Sequence, residues 1–323
     1  MNISKYILSI LILSICSFIN ATEINTNNDT QKKIAYIVSD IRIPFWDIMK
    51  RGIENTSNSL GYKLKVYSAN NDAKKELELT VKAIRDKVSG IIVSPTNSSA
   101  CVTILKLAHS AGIPVVIADI GTDGGEYVSY VSSDNKEGAY KLGQVLVKRM
   151  TELGWQDGKV GIVAIPQKRL NGQARTAGFM KALDEARIKG ADIKQQVTWT
   201  EVETYNHSKE MINKHTDLRA IWLQSSNRYL GALKAIQDAK KQDEILLISF
   251  DAEPIFLELI PAKILVGAAM QQPFLMGEKA VSILVSYLEG EKVNRNIQLD
   301  VLPISAGNIK QMLPIIKRNV LGI

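Results

Sequence analysis

Histidine and cysteine are scarce in this 323-residue chain, with three of the first and two of the second. Cys16 and Cys101 have no metal-ligand spacing, and if Cys16 leaves with an N-terminal signal, Cys101 has no disulfide partner. Flanked by Ala100 and Val102 at a helix start, Cys101 reads as a small buried hydrophobe. His109, His207 and His215 all fall in stretches that read as helix, none at a strand end beside a nucleophile, and His109 and His215 read as surface residues. There is no nucleophile elbow, zinc motif or P-loop, and Thr122-Asp123-Gly124-Gly125 is too short a glycine run to cradle phosphate. These absences argue against an enzyme and against a bound metal or cofactor. Aromatic residues make up only 6%, and the net charge of +7 is scattered over pairs such as Lys32-Lys33, Lys74-Lys75, Lys240-Lys241 and Lys317-Arg318. Without a basic stripe interleaved with aromatics, nucleic-acid binding lacks its footprint. The positive excess reads as a solubility device for an exported protein, with contact to an anionic membrane surface as the weaker alternative.

The N-terminus supplies the export signal. Lys5 precedes the apolar run Tyr6 to Leu13, and small or polar residues lead to Ala21, so residues 1–21 read as a secretory signal peptide cut after Ala21. The apolar run is shorter than the ~20 residues of a membrane span. Two other readings compete: an uncleaved anchor, and a lipoprotein attached at Cys16, where the bulky Ile15 spoils the match. Residues 22–31 are polar without a period and read as a flexible leader.

Beyond this leader, two halves repeat one rhythm. Apolar runs at Ile34–Val38, Leu64–Tyr67, Gly90–Val93 and Val115–Ala118 alternate with helical patterns at Phe45–Leu60 and Glu76–Lys87. Gly112, ahead of Ile113-Pro114, marks a helix stop. The second half follows with helix Lys136–Leu153, strand Val160–Ile165, helix Ala174–Ala186, strand Gln196–Trp199, helix Asn206–Lys214, strand Ala220–Leu223, helix Tyr229–Ala239 and strand Leu246–Phe250. Helix Ile255–Ile260, strand Leu265–Met270 and helix Phe274–Leu288 complete it. Apolar runs alternating with amphipathic helices are the pattern of parallel βαβ units. The spacing therefore predicts an α/β protein of two similar doubly wound parallel-sheet lobes. No low-complexity tether separates them, so several short crossings replace a single linker. Crossings near Ser133, Gln271 and Asp300 give one lobe of residues 32–133 plus 272–300 and another of 134–271 plus 301–323.

Doubly wound sheets bind ligands at the carboxyl ends of their strands. Those ends carry Ser39, Phe45 and Trp46, then Ser94, then Asp119, and in the second half Arg175, Trp199, Ser225, Asp251 and Gln271. Aromatic planes, carboxylates, amides and one guanidinium suit a neutral polyhydroxylated solute, whose apolar ring faces stack on aromatics while its hydroxyls take charge-assisted hydrogen bonds.

Over nearly all of its mature length the chain resembles the type I periplasmic solute-binding proteins, the ribose- and galactose-binding group. The resemblance is carried by Ile-Ala-Tyr-Ile-Val-Ser followed by Pro-Phe-Trp at 34–46, Gly-Ile-Ile-Val-Ser-Pro-Thr at 90–96, Gly-Ile-Pro-Val-Val at 112–116 and Val-Ser-Ser-Asp-Asn at 131–135. Ala-Arg-Thr-Ala-Gly-Phe at 174–179, Leu-Gly-Ala-Leu-Lys-Ala-Ile at 230–236, Ser-Phe-Asp at 249–251 and Gln-Gln-Pro at 271–273 extend it. It implies ring-stacking roles for Phe45, Trp46 and Trp199, hydroxyl binding by Asp119, Asp251, Arg175 and Gln271, and a pocket position for Ser39. The chain departs from the sugar-binding pattern at Ile43, Ser94 and Ser225, where Asn is common, and at Ile120, where Arg often follows the aspartate. A less polar pocket implies a smaller, less hydroxylated or methylated ligand.

Plainer roles compete at each position. Phe45 and Trp46 also suit a hydrophobic staple, Asp119 a turn cap, Asp251 a helix cap, and Arg175 an ion pair with Asp184 or Glu185. Trp222, inside a strand, reads as core. The resemblance implies a monomeric periplasmic protein that closes by a hinge on a small sugar-like ligand and docks on a membrane ABC permease. The alternative is a co-receptor that presents its ligand to a sensor kinase or chemoreceptor; the Asn-to-smaller departures and the stretch Asn308–Ile323 with its three cations add some weight to it, but the importer stays ahead on fold-level analogy. A repressor of this fold would need a helix-turn-helix head, which residues 1–31 do not offer.

Overall fold

Strand-forming runs that are apolar on both faces need cover on both sides, and the chain supplies it by placing a helix after almost every strand. The computed structural model describes residues 32–323; the signal peptide, Cys16 and the polar leader lie outside them. The first half runs β1 (Lys33–Val38), α1 (Pro44–Ser59), β2 (Lys63–Ser68), α2 (Ala73–Arg85), β3 (Gly90–Ser94), α3 (Ser98–Ser110), β4 (Val115–Ala118) and β5 (Ser129–Ser133). The second runs α4 (Asn135–Glu152), β6 (Lys159–Ala164), α5 (Leu170–Glu185), β7 (Lys189–Gln195), α6 (Glu201–Lys214), β8 (Leu218–Leu223), α7 (Tyr229–Asp238), β9 (Leu246–Phe250), α8 (Phe256–Leu259) and β10 (Gly267–Met270). There follow α9 (Pro273–Leu288), β11 (Asn296–Leu299), β12 (Leu302–Ser305), α10 (Ile309–Ile315) and a π-helical turn over Ile316–Leu321.

These strands form two six-stranded sheets with matching orders, β11-β5-β4-β3-β1-β2 and β12-β10-β9-β8-β6-β7. All pairings are parallel except that of β10 with β12. The chain passes from the first sheet to the second at Asp134, returns at Gln271-Gln272, and crosses again at Asp300-Val301. Together with its covering helices, each sheet makes a lobe. No described helix is long and apolar enough to cross a membrane.

Local chemistry starts the helices where they are. Pro44 opens α1, where its fixed φ and missing N–H cost nothing. Asp72 accepts from the Lys74 and Lys75 amides, Asp134 from Glu137 and Thr200 from Glu203, each satisfying an N-terminal amide of its helix. Gly112, at φ +69°, ends α3 as its spacing predicts. Trp222 is fully buried and stacks on Phe179 with ring centres 3.8 Å apart, a core residue as read. Cys101 is buried, and burial pushes its thiol up to about 12.

Some elements differ from the spacing. The strand expected at Gln196–Trp199 is instead β7, ending at Gln195, a polar edge strand fixed by its pairing with β6 and carrying little apolar signal. Helices α5 and α6 begin earlier than expected, at Leu170 and Glu201. The polar β5 and the short β11 and β12 have no apolar run to reveal them. His215 lies just beyond α6 and is largely covered, with Nε2 2.9 Å from Asp192 Oδ2, whereas His109 is exposed as read.

Where α4 meets α5 the backbones approach closely through glycine. A Cβ on Gly178 would collide with the Lys136 carbonyl. Gly178→Ala is therefore expected to lower the unfolding free energy by about 1–3 kcal/mol through overpacking, measured by urea denaturation. Gly190→Ala, whose Cβ would meet only Met180 Cε at 3.7 Å, is the control that should leave the midpoint nearly unchanged. Equal midpoints for the two variants would contradict this packing.

Candidate functional site

Parallel strands end in the same direction, so the loops that follow them cluster, and here both sets of loops face one cavity between the lobes. From the first lobe it is lined by Ile43, Phe45, Trp46 and Asp119. The second contributes Arg169, Arg175, Trp199, Ser225, Asn227, Asp251, Glu253 and Gln271, with Ile165, Asn171 and Ser226. Eight of the ten residues picked out in the sequence, Phe45, Trp46, Asp119, Arg175, Trp199, Ser225, Asp251 and Gln271, thus come together. Ser39 and Ser94 do not line the cavity. Ser39 donates to Asn71 Oδ1 at 3.1 Å, and the Ser94 hydroxyl shares a 3.1 Å hydrogen bond with the Tyr36 hydroxyl behind the sheet end.

Asp119 and Asp251 occupy equivalent places. Each follows the third strand from one edge of its sheet, β4 or β9, and each adopts a left-handed backbone, at φ +72° and +67°. Their amides donate to the neighbouring strand, to Val131 O at 3.0 Å and Ala269 O at 2.8 Å. Non-glycine residues in this region are strained, and such strain concentrates where a side chain must be aimed. Asp251 does not cap the helix that follows it: α8 has Ile255 at its N-cap.

Their partners differ. Asp251 accepts from Gln271 Nε2 at 2.5 Å and from Arg175 Nη1 at 3.4 Å. Arg175 is fixed further by Asn135 Oδ1 at 2.8 Å and Gln224 O at 2.6 Å, and its guanidinium lies 3.9 Å from the Phe250 ring centre. It does not pair with Asp184 or Glu185. Asp119 accepts one bond, from Trp46 Nε1 at 3.2 Å, and its Oδ1 has no partner among the described residues. Gln271 Oε1 and Asn227 Nδ2 are likewise buried and unpartnered. Burial pushes the Asp119 carboxyl up to about 6, against the pull of Arg175, and raises Asp251 and Glu253 as well.

Trp199 sits in the connector between β7 and α6 rather than at a strand end, and its backbone is also left-handed, at φ +57°. The Glu203 carboxylate accepts from three consecutive amides, Val197, Thr198 and Trp199, at 2.7 to 2.9 Å. Arg228 Nε donates to Trp199 O at 2.5 Å. These bonds fix the backbone that carries the indole. Ile43 and Trp199 also separate the inner cavity from an outer one of about 460 Å³, which opens between Asp40, Arg42 and Asn71 on one lobe and Thr198 and Arg228 on the other.

Arg169 is the main residue that sequence reasoning missed. It occupies the N-cap position of α5 with no side-chain cap, and starting that helix at Ala174 leaves it in an unassigned loop. Its guanidinium reaches across the cleft, donating to Thr96 O at 3.1 Å and Asn71 Oδ1 at 3.3 Å. Behind Thr96, the buried Glu76 accepts from the Thr96 amide at 2.8 Å, and desolvation pushes its carboxyl up to about 7. Glu253 was missed too, because nothing in its spacing separates it from ordinary loop residues.

These raised carboxyls set a pH dependence. In the unfolded chain Asp and Glu titrate near ~4, so the folded protein holds its protons to higher pH. The stabilisation is fully present below about pH 4 and is lost as pH rises through about 6 for Asp119 and about 7 for Glu76. The ligand-free protein is expected to be more stable at pH 5 than at pH 8, by on the order of 2 kcal/mol, in chemical denaturation. Asp119→Asn combined with Glu76→Gln should flatten that slope, and an unchanged slope would contradict the assignment.

Among known proteins, the family described as "Periplasmic binding protein domain" matches residues 34–292. The ribose import binding protein RbsB of Escherichia coli is 28% identical over 282 residues, covering 86% of this chain and 92% of that protein. The D-ribose/D-allose-binding protein of Pseudomonas aeruginosa is 27% identical over 260 residues, 77% of this chain and 80% of its own length. A carbohydrate transporter solute binding protein from Agrobacterium radiobacter, solved with D-arabinose, superposes with a TM-score of 0.83 at 21% identity, covering 90% of this chain and 99% of that one. That likeness shows the fold, two lobes of parallel sheet. The family match spans most of the described residues, and its members are binding proteins rather than enzymes: the chain belongs to the periplasmic binding protein domain family.

Proposed function

We propose that this protein captures a small, neutral, polyhydroxylated solute of the sugar class between its lobes and delivers it to a membrane ABC importer. One observation carries the ligand class. Two buried acceptors, Asp119 Oδ1 and Gln271 Oε1, and one buried donor, Asn227 Nδ2, stand unpartnered at a cavity flanked by indoles. Buried polar atoms left unsatisfied are costly, and hydroxyl groups satisfy acceptors and donors alike. A cation would leave Asn227 unmet, and an anion would face three carboxylates.

In this reading, Asp119, Asp251, Gln271 and Asn227 bind hydroxyls, Phe45, Trp46 and Trp199 wall the site, and Arg175 holds Asp251 in place. The lobes, residues 32–133 with 272–300 and 134–271 with 301–323, turn about the three crossings. Ligand favours closure because only the closed state makes contacts with both. Delivery to an importer is preferred to presentation to a sensor because the curated relatives include import binding proteins for ribose. The protein is exported by residues 1–21 and works as a periplasmic monomer.

A thermal-shift and tryptophan-fluorescence screen over pentoses, hexoses and shorter polyols tests the proposal. A true ligand at a hundredfold its Kd should add about 2.7 kcal/mol of stability and perturb emission from Trp46 or Trp199. Asp119→Asn should weaken binding about ten- to a hundredfold, the range for a hydrogen bond to a charged group, while raising the stability of the free protein at pH 8. A panel in which no solute moves either signal would refute the sugar-class assignment.

A further inference from the structure

The inner cavity is narrow for a ring-shaped ligand. Its volume is about 40 Å³, several-fold below the roughly 300–1,000 Å³ of an ordinary small-molecule site. One side chain takes up a central part of it. The Arg169 guanidinium carbon lies 5.2 Å from the Trp199 ring centre and 5.8 Å from that of Trp46, so it occupies the gap between the two indoles. That gap is where the flat apolar face of a ring sugar would stack.

Arg169 is well anchored there. Its α5 start belongs to the second lobe, yet both of its acceptors, Thr96 O and Asn71 Oδ1, belong to the first. Asn71 is itself fixed by the Ser39 hydroxyl, and Thr96 by the Glu76 carboxylate. To admit a ring between the indoles, the closed protein would give up two hydrogen bonds and two cation–π contacts. The other cation of the cavity imposes no such limit, because Arg175 is tied within its own lobe and lies over Phe250, away from the indole gap. A short acyclic polyol needs no aromatic platform. Its hydroxyls would be offered the unpartnered Asp119 Oδ1, Gln271 Oε1 and Asn227 Nδ2 while Arg169 keeps both indoles.

We propose that Arg169 is a specificity-determining residue: by filling the space between Trp46 and Trp199 in the closed state, it selects a short polyol of the size of glycerol or erythritol over ring sugars. This rests on the reading of the cavity as a site for polyhydroxylated solutes, and it narrows that class.

Calorimetric titration of the whole protein with glycerol, erythritol, D-ribose and D-allose tests it, using the wild type, Arg169→Ala and Arg169→Lys. The wild type is expected to bind erythritol or glycerol roughly tenfold or more tightly than either ring sugar, the range that pocket-size discrimination supplies. Arg169→Ala should reverse the order, and Arg169→Lys, which keeps the charge but not the two-pronged reach, should fall between. Circular dichroism confirms that the variants fold. A wild type that binds D-ribose or D-allose as tightly as the polyols overturns the proposal, even where a variant fails to fold. Weaker ring-sugar binding in Arg169→Ala also overturns it, since Arg169 would then be a donor to the ligand. If no solute binds any of the three chains, the sugar-class reading itself falls, and the size limit falls with it.

Discussion

Five ionisable side chains, Asp119, Asp251, Glu253, Arg169 and Arg175, share one cavity from which most water is excluded. That incompletely paired charge is the constraint on which the rest of the molecule turns. Burying a charge is tolerable only when hydrogen bonds and counter-charges replace its water. For Asp251 the replacement is nearly complete, with Arg175 and Gln271 both engaged. For Asp119 it is not, since one oxygen stays unpartnered and the carboxyl titrates far above its ordinary range. A polar network left partly satisfied is worse than none, and a bound solute with hydroxyls is what would complete this one.

The fold explains how such groups come to face one another. Two sheets of the same strand order present their carboxyl ends toward a shared cleft, and Asp119 and Asp251 follow corresponding strands in the same left-handed conformation. Duplication of the scaffold therefore duplicates the aim of the side chain. Function arises from how the two copies differ. The second lobe adds Arg175, Gln271 and Asn227 around its aspartate, whereas the first adds the indole of Trp46. In the proposed closure a hydrogen-bonding half meets a half that offers one aromatic wall and one poorly satisfied acceptor. The Glu203 carboxylate and Arg228 supply the opposite wall by holding Trp199 in a strained backbone.

Much of this was legible in the residues. The runs that form β1, β3, β4 and β9 are apolar on both faces, as central parallel strands must be, and that pattern marks the loops after them. The aromatics and aspartates at those loops stood out because such residues have little reason to cluster at strand ends otherwise. What escaped was polar or tertiary in origin. β7 and β5 carry few apolar residues, and their pairing with neighbours defines them. Ser39 and Ser94 look like cleft residues from their strand ends, but their hydroxyls bond Asn71 and Tyr36. Arg169 gave no signal, because a helix start with no side-chain cap looks like loop, and its partners on the far lobe are distant in sequence.

The proposed event is the closure of two bodies on a solute held at Asp119 and Asp251. Its most direct measurement is the inter-lobe distance distribution in solution, by electron–electron double resonance between spin labels at the exposed positions Lys74 and Lys209, with the buried Cys101 replaced by serine. A broad distribution is expected without ligand, collapsing to one shorter, narrow distance at saturation. A solute that binds stoichiometrically yet leaves the distribution unchanged would contradict it.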